Sequence, residues 1–276
     1  MTKMIRVSIV TPVFNNRCYV RQAIESILSQ EGDFEIEHII KDGGSTDGTL
    51  EILDEYAGHP SVKVITGPDR SLYHGLRIGY EHATGDIGGF LCSDDFYAEG
   101  AVAKVLAGFE KYPDRDWLYG RCDIVDGESK PIRSLITRYK NLAGFWYNRW
   151  LLGCVNYVNA PATFWRMRAW RALDGMTDKY KYASDYAFWM ELGLLTKGIA
   201  LHERVASFRR AGESISDLHF HDQFAEELEI ARGHTGPLAY AIHKLNVWGI
   251  TGVYSLLGRR RTAETKEERT SDTDEN

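Results

Sequence analysis

Four aspartates stand where chemistry could gather. Asp42 precedes Gly43-Gly44-Ser45, Asp94 and Asp95 follow Ser93 at the end of an apolar run, and Asp185 opens a helical stretch in Ser184-Asp185-Tyr186. Asp42, Asp94 and Asp95 each follow a strand-like run. In a parallel sheet such positions meet at one edge, where ligands bind. Carboxylates brought together repel unless a cation joins them. Hard oxygen donors suit Mn2+ or Mg2+, which take one or two carboxylates together with phosphate oxygens and water. The pattern therefore points to a nucleoside diphosphate group held through a divalent metal.

Other chemistries find less support. Cys18, Cys92, Cys122 and Cys154 form no C-x-x-C pair, which argues against a zinc site and leaves buried free thiols as the expectation. No Ser/His/Asp or Cys/His constellation stands out. The Gly43–Gly48 cluster is not G-x-G-x-x-G, so a nicotinamide dehydrogenase is not expected. His219, His221 and Asp222 resemble a metal cluster, but residues two apart on a helix point to different sides. A structural or acceptor-site role is expected for them instead.

The elements that must position these residues alternate. Ile5–Phe14 is a β-branched run ending at Asn15-Asn16, and Val20, Ile24, Ile27 and Leu28 then repeat at helical spacing. Strands are expected at Ile36–Lys41, Val62–Thr66 and Ile87–Cys92. Helices are expected after Ser45, over Ser71–Ala83 and over Ala101–Phe109. Strands separated by helices of this length imply βαβ units: an α/β fold with a Rossmann-like, mostly parallel central sheet and helices on both faces. After Tyr112 the pattern changes. Trp117–Tyr119 and Cys122–Val125 read as short strands, and Lys130–Val158 is aromatic-rich without a clean period. Ser184–Thr196 and Leu218–Arg232 read as helices flanking a strand-like Ile199–Phe208, and Pro237–Leu257 as a C-terminal helix.

At this point several segments, in order, resemble one family. They are VSIVTPVFNN, KDGGSTDGT, DRSLYHGLRIGYEHATGDIGGFLCSDD, APATFWR, YASDYAFW and ASFRRAGESIS. Together they are similar to the family 2 glycosyltransferases with the GT-A fold, in the polysaccharide-biosynthesis branch, over roughly residues 5–230. The resemblance implies an inverting, metal-dependent transfer of a sugar from a UDP-, dTDP- or GDP-sugar to a hydroxyl of a glycan or lipid-linked acceptor. It implies that Thr11, Pro12 and Asp42 line the base pocket, that Asp94 and Asp95 hold the metal with Asp94 also near the nucleotide, and that Asp185 is the catalytic base. Arg77 and Arg209 become candidates for the diphosphate. The chain departs from the family pattern at Cys92, where an acid or amide is common, and at His74-Gly75-Leu76-Arg77. It departs again at Ser184, and at Arg209–Ser214, which lacks a histidine. Those departures keep a second reading open: a non-catalytic nucleotide-sugar or glycan binding module on a decayed transferase fold.

Length and composition fit this frame. The chain has 276 residues, a formal net charge of −6 and 43% hydrophobic residues. That suits one continuous unit with a nucleotide half (1–120), an acceptor half (121–235), a C-terminal helix with a basic end (236–261) and a disordered tail (262–276). Residues 262–276 carry six acids and two bases, so the acidity is mostly a tail effect. Without a general basic excess, nucleic acid is not an expected partner. Leu245–Leu257 is too short to span a bilayer. Followed by Arg259-Arg260-Arg261, it reads either as a packing helix with a solvated basic end or as an interfacial helix giving peripheral membrane contact through 245–261. The expected location is cytoplasmic; on the second alternative it is peripheral on the inner face of the plasma membrane.

Overall fold

The computed structural model describes residues 4–132, 134–211 and 219–252. Its centre is an eight-stranded sheet in the order β3-β2-β1-β4-β7-β6-β8-β5. The strands are β1 (Ile5–Val13), β2 (Phe34–Asp42), β3 (Val62–Thr66), β4 (Ile87–Phe90), β5 (Phe96–Tyr97), β6 (Trp117–Val125), β7 (Thr163–Arg166) and β8 (Ile199–Arg209). Neighbours β3, β2, β1 and β4 run parallel, as do β6 and β8, while β7 and β5 pair antiparallel with their neighbours. The sheet is thus mixed and mostly parallel, as the alternating pattern implies.

Helices cover both faces because strand side chains alternate. Val10, Phe90, Trp117, Tyr119 and Trp165 point to one side, against α3 (Leu72–Tyr80), α6 (Arg149–Cys154) and α8 (Ser184–Leu195). Val7, Ile9, Ile87, Leu118 and Phe164 point to the other, against α1 (Val20–Leu28) and α4 (Ala101–Lys111). The remaining helices are α2 (Thr49–Asp54), α5 (Ser134–Ala143), α7 (Met167–Ala172), α9 (Phe220–His234) and α10 over 237–252. The first core is aromatic. Trp165 lies between Trp170, Phe188 and Trp189, and Trp117 stacks on Trp189 at 6.3 Å.

The second half shows what periodicity does not reveal. The two short strands expected at 117–119 and 122–125 are one strand, β6, with register shifts around Arg121 where it meets β8. The region without a clean period holds α5 and α6, and β7 follows soon after. β7 is only four residues long, too short to display an alternation. The two-residue β5 pairs Phe96 and Tyr97 with Ser207 and Ala206. Residues 253–276, and with them Arg259–Arg261 and the tail, lie outside the described residues, as do 212–218. No helix among the described residues is long and apolar enough to cross a membrane.

Candidate active site

The parallel register brings three strand ends level. Thr11, Pro12 and Val13 of β1 stand opposite Ile40, Lys41 and Asp42 of β2, and Val10 stands opposite Phe90 of β4. Asp42, fully buried, turns its carboxylate onto its own loop. One oxygen accepts from the Gly44 and Ser45 amides at 2.8 and 3.0 Å, the other from the Ser45 hydroxyl. Thr11 is sealed as well, its hydroxyl 2.9 Å from His38 Nε2. Burial lowers the His38 pKa to about 3, so the ring is neutral. Pro12 is buried between them. Thr11 and Asp42 therefore brace the wall of the expected base pocket and turn no exposed polar atom into it.

Next to that wall lies a partly buried ion pair that the sequence did not suggest. Lys41 Nζ donates to the Asp42 and Gly67 carbonyls at 2.6 and 2.5 Å and sits 3.4 Å from Asp69 Oδ2. A Cβ on Gly43 or Gly75 would come within 2.9 Å of that same carboxylate, so glycine there lets Asp69 reach in.

The loop after β4 carries the acidic pair. Asp94 is partly exposed and Asp95 is buried. Ligand atoms of Cys92, Asp94 and Asp95 lie within 4.8 Å of one another, the one such group among the described residues. Asp95 Oδ1 accepts the Arg209 backbone N–H at 2.9 Å, whereas Oδ2 is buried with no hydrogen-bond partner. Burial, and then the charge of Asp94, hold the Asp95 carboxyl well above the ordinary range. An orphaned carboxylate oxygen beside a second carboxylate is an arrangement that a hard dication relieves, so these residues fit Mn2+ or Mg2+. The Cys92 thiol is pushed well up by burial and then by Asp95, Asp94 and Asp185, which keeps it protonated among three acids.

Asp185 occupies the first turn of α8, where the helix dipole favours a negative charge. Its Oδ1 accepts from the Tyr186 amide at 2.8 Å and from the Tyr73 hydroxyl at 3.0 Å. Both bonds fall on Oδ1, so Oδ2 is left to take a proton. Burial raises the Asp185 pKa, against the lowering pull of those two bonds and of Lys140. Tyr73 comes from α3, 112 positions earlier, and ties the helix after β3 to the acid.

The two candidate arginines are placed elsewhere. All five Arg209 N–H donors are engaged. Nε bonds the Asp94 carbonyl, Nη1 the Asp126 and Gly127 carbonyls, and Nη2 the Gln22 and Ser129 side chains. The guanidinium also lies 4.3 Å from the Tyr19 ring centroid. With these bonds Arg209 sits as a buried clamp on the acidic loop. Arg77 likewise gives Nη1 to the Asp174 and Met176 carbonyls at 2.7 and 2.9 Å, with Nη2 3.5 Å from Asp174 Oδ2. It fastens the segment that leads into α8. His219 stacks on Tyr182 and lies 3.4 Å from Asp222.

A second polar group sits behind Asp185. Glu227 of α9 accepts from Asn156 at 3.2 Å and lies 3.8 Å from His243 Nε2 of α10. Burial raises its pKa to about 7, although Lys140 pulls it down. No spacing rule links these residues in sequence; the apolar face of the helix 218–232 was the only sign that this region packs inward.

A strand-end carboxylate pair and a helix-borne acid stand on a mixed, mostly parallel α/β sheet. The glycosyl transferase family 2 model matches residues 8–169, and the chain belongs to that family. It is 28% identical over 192 residues to a chondroitin synthase of Pasteurella multocida, an alignment covering 69% of this chain and 19% of that protein. The chain thus spans about a fifth of that relative's length. Among solved structures, Staphylococcus aureus TarS residues 1–349 with UDP-GlcNAc superposes at TM-score 0.65 with 20% identity, covering 82% of this chain and 65% of that one. The mannosyltransferase PcManGT of Pyrobaculum calidifontis, solved with GDP-Man and Mn2+, superposes at 0.63 with 17% identity, covering 90% and 70%. At these identities the structural matches establish the GT-A fold.

Proposed function

We propose that the chain catalyses inverting transfer of a sugar from a nucleoside diphosphate sugar (UDP, dTDP or GDP) to a hydroxyl of a glycan or lipid-linked acceptor in surface polysaccharide assembly. One observation carries this reading. Asp95 Oδ2 is buried without a hydrogen-bond partner beside Asp94, and the ligand atoms of Cys92, Asp94 and Asp95 lie within 4.8 Å of one another, a carboxylate pair built for a dication at the end of a strand. Asp94 and Asp95 would hold Mn2+ or Mg2+, which supplies charge neutralisation for the departing diphosphate. Asp185 Oδ2 accepts the acceptor's hydroxyl proton as that oxygen bonds the anomeric carbon. The bond from that carbon to the diphosphate oxygen breaks on the opposite face, and the electron pair leaves with the nucleotide. The raised Asp185 pKa makes it a stronger base than an exposed aspartate. No covalent intermediate is required. Thr11, Pro12 and the loop braced by Asp42 back the nucleotide.

The test separates chemistry from binding. Asp185→Asn is expected to lower donor turnover by about 10³-fold or more while nucleotide affinity changes little. Asp95→Ala is expected to remove the Mn2+ dependence of nucleotide binding in calorimetry. Full transfer by the asparagine variant would overturn the assignment of the base. Nucleotide binding by the wild type without turnover across donors and acceptors would favour the binding-module reading.

A further inference from the structure

The charge of this chain is unevenly placed. It carries 39 acids, yet from Ser129 to Leu173 there is none, against eight Lys and Arg, and from Ile230 to Ala263 none, against five. The fold sets parts of these two acid-free stretches side by side. The Tyr139 hydroxyl of α5 donates to Asn246 of α10 at 2.8 Å, and the His243 ring of α10 meets the Gly153 carbonyl of α6 at 3.1 Å.

Their outer faces are apolar where a solvent-facing helix is ordinarily charged. On α10 the buried face holds Ala239, His243 and Val247, and the opposite face exposes Leu238, Leu245 and Trp248, the last at 73%. On α5, Leu135 and Leu142 flank Tyr139 at helical spacing and are exposed at 78% and 77%. Trp146, just beyond α5, is exposed at 76%. The charged side chains exposed on these two helices are Arg138 and Lys244. Past residue 252 the sequence adds Arg259, Arg260 and Arg261.

We propose that α5, Trp146 and α10 form a docking face for an anionic lipid bilayer, with the chain lying on the membrane and not crossing it. Exposed leucines and indoles suit the headgroup boundary, and bases without interspersed acids suit anionic lipid. A second copy of the chain is a poorer occupant, because the face would meet its own like charge. A nucleic acid would use the bases and leave the leucines in water. The inner side of α5 carries partly buried Lys140, which donates to Asn159 at 3.2 Å and so leaves only the outer side of the helix for the lipid. The docking does not rest on the transferase reading.

The test is co-sedimentation of the full chain with vesicles of phosphatidylcholine alone, or with about one-third phosphatidylglycerol. Binding is expected to the anionic vesicles and to weaken as salt rises. It should fall by about tenfold or more in Leu245→Ser/Trp248→Ser, whose thermal midpoint should stay near wild type because both residues are exposed. Arg138→Gln/Lys244→Gln supplies an independent variant that leaves the apolar face intact, and it should also weaken binding. No binding to anionic vesicles, or binding that neither pair of substitutions weakens, overturns the proposal. So does lipid-free self-association abolished by Leu245→Ser/Trp248→Ser, which would assign the face to a second copy. None of these readouts depends on sugar transfer, so failure here and failure of the transferase reading are distinguishable.

Discussion

Tyr73 shows how one hydroxyl tunes an acid. Its bond to Asp185 Oδ1 lowers a pKa that burial raises. Tyr73→Phe removes the donor, so Asp185 should hold its proton to higher pH. The acid limb of the rate–pH profile is expected to move upward, with kcat lower by about tenfold at neutral pH. A profile superimposable on wild type would deny the bond any catalytic part. Glu227 gives a prediction about stability. Its folded pKa of about 7 lies above the ordinary glutamate value of 4.5. The folded state therefore binds more protons between those values, and the stability present below pH 4.5 is lost as pH rises through 7. Glu227→Gln should flatten this slope and stabilise the protein at pH 8 by roughly 1–3 kcal/mol in denaturant melts. At this scale the candidate acids could be picked out in sequence and their partners could not. Asp94 and Asp95 stand out because they follow an apolar strand in a β-α context, and Asp185 through the family resemblance. Tyr73 sits inside a quoted segment, but nothing in sequence indicates a bond across 112 positions.

At the scale of elements, the acidic loop is held by the end of β8. Arg209 gives its backbone N–H to Asp95 and its Nε to the Asp94 carbonyl, while its remaining donors take the turn at 126–129 and Gln22 of α1. The clamp joins three elements that are far apart in the chain. Lysine cannot reproduce the fork, so Arg209→Lys is expected to loosen the loop. Mn2+ affinity in calorimetry should drop by about tenfold, and the thermal midpoint should fall. Unchanged metal affinity would mean that the loop holds itself. The same residue marks where sequence reasoning reached its end. An arginine near an expected diphosphate reads as a phosphate ligand, and only the placed turn shows its donors already taken. The first three strands were legible because β-branched runs alternate with amphipathic helices, and β4 because an apolar run leads into the acidic pair. β5 and β7 have two and four residues, and α5 and α6 lie where aromatic side chains mask the period.

For the whole molecule, nucleotide binding should register as stability, since a ligand that binds only the folded state raises its apparent melting point. Of UDP, GDP, dTDP and CDP, one base is expected to raise the midpoint most with Mn2+ present, and Asp95→Ala should erase the metal-dependent part. Equal, metal-independent shifts for all four would contradict a built nucleotide site. The organisation of the sheet bears on how such proteins could be recombined. β7 arises after residue 160 yet pairs with β4, Ile87 lying opposite Arg166, and carries β6 on its other edge. The strand beside β4 is therefore supplied by the later part of the chain. A chimera joined near residue 120 would unknowingly exchange β7, the strand on which the parallel half of the sheet closes. Grafting the later residues from a relative would require leaving the register of β7 with β4 untouched.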